Sequence, residues 1–131
     1  MFVNTHFDNA IPNKDPSAIL FHNRIAVLAK DFPIIVTGDF NTRADVARYQ
    51  VFTGMGEGTD KQPLLHNAYD LAGSPKVAID LLPNQRIDHI LAGGTCKIKA
   101  QHWHIDNQPM VNGEPMSDHD PIISELIFSP R

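Results

Sequence analysis

The sequence predicts an α+β fold, a mixed or antiparallel sheet with helices on one face. Three observations predict it. Apolar Ala18, Phe21, Ile25 and Leu28, joined by Leu20 and Val27, recur at helical spacing. Short β-branched or apolar runs, beginning with Pro33-Ile34-Ile35-Val36-Thr37, read as strands. The last strands are joined by turns rather than helices, which a purely parallel sheet does not allow.

Phe2 to Thr5 reads as the end of a buried strand, followed by polar residues to Asp15. Asp15-Pro16 has the form of a helix start, an N-cap with proline at the first helical position, so a helix is expected over 16–30. The run from Pro33 to Thr37 stops at Gly38 and should be a buried strand. Thr42 is the expected cap of a second helix over 44–52. Three glycines between Gly54 and Pro63 indicate an exposed loop. A short helix is expected over 64–71, no definite element over 73–85, and a strand over 86–92. Gly93-Gly94 turns the chain into a longer strand over 95–104. A polar loop over 106–120 leads into a final strand, 121–128.

At 131 residues the chain has room for one domain, and an apolar fraction of 42% supports a folded core. No apolar run is long enough for a membrane span. The N-terminus lacks the basic flank and small-residue cleavage site of a signal peptide, so a cytoplasmic location is the default expectation. Cys96 is the only cysteine, which rules out an internal disulfide. A formal net charge of −4 argues against a protein held on duplex DNA by many phosphate contacts, although carboxylates around a metal inflate that figure.

Four segments place acidic, amide or imidazole groups just beyond strands. In Thr5-His6-Phe7-Asp8, His6 and Asp8 alternate and share a side. Gly38-Asp39-Phe40-Asn41 offers a carboxylate that can orient or deprotonate water and an amide that can hold an oxyanion. Arg86-Ile87-Asp88-His89-Ile90-Leu91 sets a carboxylate in an apolar strand, where it needs a partner. Ser117-Asp118-His119-Asp120-Pro121 supplies a ligand for a hard cation and a proton-transfer imidazole. Each segment alone reads equally as a polar turn or strand edge.

Together and in this order, "NTHFDN", "VTGDFNT", "RIDHIL" and "SDHDPI" resemble the successive C-terminal motifs of the endonuclease/exonuclease/phosphatase (DNase-I-like) superfamily. The resemblance runs from Asn4 to about Leu126 and implies a phosphodiester or phosphomonoester hydrolase using Mg²⁺, with Mn²⁺ the alternative. By that resemblance, His6 contacts the scissile phosphate, Asp39 orients or deprotonates the attacking water, and Asn41 holds the phosphate and Asp39. Asp118 is the implied Mg²⁺ ligand, and His119 the catalytic imidazole, oriented by Asp88. Nucleic acid is among the implied substrates.

The resemblance also implies that residues 1–131 form a single, partial domain, one half of a four-layer α/β sandwich. The other half of such enzymes supplies a metal-site asparagine and glutamate that have no counterpart here. A bare sheet face would follow, and two copies could pair through it as a homodimer. The substrate-contacting Gly-Thr segment and aromatic of many members have no clear equivalent between Leu71 and Arg86; Ala72-Gly73-Ser74-Pro75-Lys76 stands there. Arg24, Arg43, Arg48 and Arg86 read as ordinary surface arginines that could contact phosphate. Two other readings compete. One is a catalytically inactive half-domain that binds phosphate ligands or a partner. The other is a zinc hydrolase using His102, His104 and Asp106, whose His-x-His-x-Asp spacing puts both imidazoles on one strand face.

Overall fold

Residues Phe2–His6 form β1, and Pro33–Asp39 form β2, parallel to it. A parallel pair needs a crossover, and α1, Ile11–Leu28, provides it. The structure, a computed structural model, describes residues 1–76, 86–106, 112, 114 and 117–131, and only the backbone of 11–13. Residues 77–85, and most of the polar loop expected over 106–120, therefore lie outside the described residues.

The remaining elements are α2 (Ala47–Thr53), β3 (Leu65–Asn67), α3 (Ala68–Leu71), β4 (Asp88–Gly94), β5 (Lys97–Ile105) and β6 (Ile122–Ser129). The main sheet has the order β1-β2-β4-β3, and β4 runs antiparallel to both its neighbours. Strands β5 and β6 form a separate antiparallel ribbon with an irregularity between Ala100 and His102.

Alternation along β2 turns Ile34 and Val36 to one face, where they are buried against Ala18, Phe21 and Ile25 of α1. Tyr49, Val51 and Phe52 of α2, Leu65 of β3 and Leu91 of β4 complete this core. Four phenylalanine rings, Phe7, Phe21, Phe40 and Phe52, pack with centroids 4.9–6.0 Å apart at the end of the sheet where β1 and β2 stop. Phe7 and Phe40 directly follow His6 and Asp39. Burying those rings on the core side directs the two polar side chains to the opposite face.

Several expectations need correcting. Helix α1 starts at Ile11, with Ala10 as its N-cap and no side-chain cap bond; Pro16 lies inside it. The missing N–H of Pro16 removes one i→i−4 bond near the start, which the packing of the helix onto the sheet overrides. Strand β1 is an edge strand rather than a buried one, with Phe2 66% exposed. Helix α2 begins after Val46, which has no capping side chain, so Thr42 is not its cap. The helix expected over 64–71 divides into β3 and the short α3, where Asn67 accepts the Tyr69 N–H at 3.0 Å as a true N-cap. No helix among the described residues is long and apolar enough to cross a membrane.

Candidate active site

Cross-strand register assembles the site. His6 is the partner of Asp39, and Asp39 is the partner of Asp88, so the three residues form one row across β1, β2 and β4. Gly38, one position before that row, has φ +137°, and a Cβ there would lie 1.8 Å from the Thr5 carbonyl oxygen. Only glycine lets β1 and β2 close at this point.

Asp39 is fixed from behind. Its Oδ1 accepts the Asn41 backbone N–H at 2.6 Å, while Oδ2 faces His6 Nε2 at 3.6 Å and His119 Nδ1 at 3.9 Å. Asn41 sits at φ +45°, a conformation asparagine tolerates better than most residues. Its side-chain amide donates to the Phe7 carbonyl at 2.7 Å, tying the end of β2 to the end of β1. Asn41 thus holds Asp39 through its backbone and uses its amide nitrogen to hold the strand ends together.

His119 Nδ1 lies 2.8 Å from Asp88 Oδ2. With that nitrogen donating, Nε2 is the free position of the ring. Burial holds the Asp88 carboxyl above its ordinary range; His119 pulls it down again, and the Asp39 charge adds to the rise. The ligand atoms of Asp39, Asp88 and His119 all lie within 4.8 Å of one another, and no other such group of three occurs among the described residues.

Asp118 is exposed and lines a cleft of about 320 Å³ together with Arg86, Asp88, His119 and Asp120. The Ser117 hydroxyl, which accepts the His119 backbone N–H at 3.1 Å, shapes this turn. The structure therefore brings His6, Asp39, Asn41, Asp88 and His119 together and places Asp118 beside them in the cleft, outside the tight cluster. Asp118, on the wall of this cleft, offers a hard carboxylate oxygen of the kind that a divalent cation keeping several waters takes. His102 and His104 do share an exposed strand face with Trp103 buried on the other side, but neither belongs to a three-ligand cluster among the described residues. His102 instead lies 4.0 Å from Glu125.

A buried network lies behind the row. His89 points to the core side, opposite its neighbour Asp88. Its Nε2 meets the Thr42 carbonyl at 2.8 Å and its Nδ1 meets Asn67 Nδ2 at 3.2 Å. An amide nitrogen can only donate, so Nδ1 accepts and Nε2–H donates to Thr42. Burial pushes the imidazole down to about 4, so it is neutral; the bond to Thr42 opposes this shift, and the Arg86 charge assists it. Asn67 also donates to the Tyr49 hydroxyl at 2.8 Å. The Thr42 hydroxyl donates to the Phe40 carbonyl and accepts Arg48 Nε, each at 2.8 Å, while Arg48 Nη2 reaches the Asn41 carbonyl at 3.3 Å. The turn carrying Asn41 is thereby pinned from the core side. The adjacency of His89 to Asp88 was its one signal in the sequence.

Comparison with known proteins agrees with this geometry. A family model described as "Endonuclease/Exonuclease/phosphatase family" matches residues 4–119. Among solved structures, a mannosyl-6-phosphatase of Bacteroides thetaiotaomicron VPI-5482 is 25% identical with a TM-score of 0.68, over 95% of this chain and 50% of that one. A second Bacteroides thetaiotaomicron protein of the same family is 23% identical with a TM-score of 0.70, over 96% and 50%. The human Nocturnin catalytic domain is 19% identical with a TM-score of 0.59, over 97% and 47%. The chain thus spans about half the length of these structures, and its fold corresponds to one half of a DNase-I-like sandwich. No curated protein matches significantly. With its four motifs in order and their side chains gathered at one end of one sheet, the chain belongs to the endonuclease/exonuclease/phosphatase family.

Proposed function

We propose that this chain carries the catalytic row of a divalent-metal-dependent phosphoesterase, as one half of a single domain. The observation that carries the reading is the alignment of His6, Asp39 and Asp88 across three strands, with His119 held on Asp88 at 2.8 Å. Hydrolysis joins a water oxygen to phosphorus as the ester P–O bond breaks. Asp39, anchored through Oδ1, aligns that water with Oδ2 and takes its proton. His6 and His119 flank the same oxygen and face the non-bridging oxygens of the phosphate. Asp88 keeps Nδ1 of His119 protonated, leaving Nε2 to meet the substrate. Asp118 is the residue that would hold Mg²⁺ or Mn²⁺. Such an ion, when bound, neutralises charge on the phosphate oxygens.

The likeness to a mannosyl-6-phosphatase favours a phosphate ester of a small molecule and includes sugar phosphates among the substrates. The mildly acidic charge balance points the same way, away from long duplex DNA. The half-length match favours one second reading, a half-domain that binds phosphate ligands without turnover. We also assign the uncovered sheet face around Phe2 to pairing with a second copy of the chain. Turnover of bis-p-nitrophenyl phosphate by the folded chain decides between the first two. Release of nitrophenol that needs Mg²⁺ or Mn²⁺, stops with EDTA and is lost in His119→Ala is the expected result. Folded wild type no faster than that variant leaves the binding reading.

A further inference from the structure

We infer that Arg48 is a positioning residue for Asp39, acting through a hydrogen-bond chain on the core side of the sheet. That role rests on the phosphoesterase reading above, while the chain of bonds can be tested without turnover. Arg48 lies in the first turn of α2 with its side chain only 15% exposed, so it is not the ordinary surface arginine expected from the sequence. Its Nε donates to the Thr42 hydroxyl at 2.8 Å, and that hydroxyl donates to the Phe40 carbonyl at 2.8 Å. The Phe40 carbonyl and the Asn41 N–H belong to one peptide group, planar and trans, so they point in opposite directions. The carbonyl meets buried Thr42, and the N–H meets Asp39 Oδ1 at 2.6 Å. Three hydrogen bonds, all aimed the same way, therefore run from the guanidinium to the carboxylate.

Bonds in such a chain polarise one another, and here a cation stands at one end and a carboxylate at the other. Arg48 Nη2 donates to the Asn41 carbonyl at 3.3 Å, which fixes the next peptide group as well. Between the two peptide groups lies Asn41 at φ +45°, a conformation that persists only where its surroundings hold it. The remaining contact of Arg48, Asp15 at 3.8 Å, is with a side chain 86% exposed and contributes little. The guanidinium is thus committed to the turn that carries Asp39 and Asn41. A water aligned by Asp39 Oδ2 is only as well placed as the plane of that carboxylate, and Oδ1 is where the plane is held. Losing the chain leaves the carboxylate in the site but free to swing. Alignment of the water then fails, while binding of the phosphate is untouched.

Arg48→Met and Thr42→Val break the chain at separate links, the second by removing a hydroxyl and keeping the branched shape. With bis-p-nitrophenyl phosphate and Mg²⁺ or Mn²⁺, each folded variant should lose at least about tenfold in kcat with KM unchanged. The double variant should lose little more than the worse single one, and Thr42→Ser should recover most of what Thr42→Val loses. Should Arg48→Met not fold, Thr42→Val and its serine rescue decide. The backbone amide of Asn41, followed by heteronuclear NMR in metal-free protein, reports on the chain without turnover. Its proton should move upfield in both breaking variants, as the bond to Asp39 lengthens, and hold its wild-type position in Thr42→Ser. Unchanged kcat in the variants, a loss that lies in KM, or an Asn41 amide unmoved by both substitutions overturns the inference. A wild type without turnover whose Asn41 amide responds as stated sinks the activity reading alone and leaves Arg48 holding Asp39.

Discussion

At the scale of single residues, the site is governed by what lies behind each functional side chain. Asp39 owes its orientation to one backbone N–H, and His119 owes its tautomer to Asp88. His89 illustrates the energetic side. Its imidazole falls from 6.5 to about 4 on folding, so the unfolded chain binds the proton first as pH drops. Stability from this group is complete above pH 6.5 and is lost as pH falls through about 4, by about 3 kcal/mol in total. Urea unfolding at pH 7 and pH 4.5 should show this loss, and His89→Gln should flatten it. Asp88 has the opposite sign. Its carboxyl is raised on folding, so its contribution is complete below the ordinary carboxylate range and declines as pH rises through its folded value. In metal-free protein, Asp88→Asn should therefore become progressively less destabilising, relative to wild type, between pH 3.5 and pH 7 in the same urea assay. The catalytic candidates were legible because acidic and imidazole groups at strand ends stand out against apolar runs. Thr42 was not legible, since a threonine before a helical stretch looks like a cap, and only the tertiary fold shows it buried beneath Arg48 and bonded to Phe40.

Elements position these residues through register and packing. Alternation in β1 and β2 puts Phe7 and Phe40 in the aromatic cluster and His6 and Asp39 on the other face, so a core defect should reach the site. Phe40→Ala should cost about 3–5 kcal/mol by denaturant unfolding. Gly38→Ala should cost about 3 kcal/mol and open the β1–β2 contact next to Asp39, because both the backbone angle and the 1.8 Å approach to Thr5 forbid a Cβ. Most strands were readable from their apolar runs to within a few residues. The start of α1 was not, because Asp15-Pro16 carries a start signal while the real first residues carry no capping side chain. Strand β3 was missed because three residues are too few for a period of two to declare itself against a helical one.

For the whole molecule, one covered face and one uncovered face are the dominant feature. Helices α1 and α2 cover the core side, while Phe2, Asn4 and His6 lie exposed on the other, the side of the catalytic row. Sedimentation should show concentration-dependent association that Phe2→Asp weakens; a monodisperse monomer at all concentrations would remove the second-copy assignment. That the fold matches one half of a DNase-I-like sandwich was legible only through the four ordered motifs, because composition and periodicity carry no record of such an architecture. On the proposed reading, Asp88 and His119 act as one unit on a phosphate ester aligned by Asp39. A double-mutant cycle on metal-dependent kcat for bis-p-nitrophenyl phosphate tests it most directly, using Asp88→Asn, His119→Ala and the pair together. The geometry predicts strong non-additivity: each single variant loses at least about a hundredfold, and the double variant loses little more than the worse single one. Losses that simply multiply, or a single variant that leaves kcat unchanged, would contradict it.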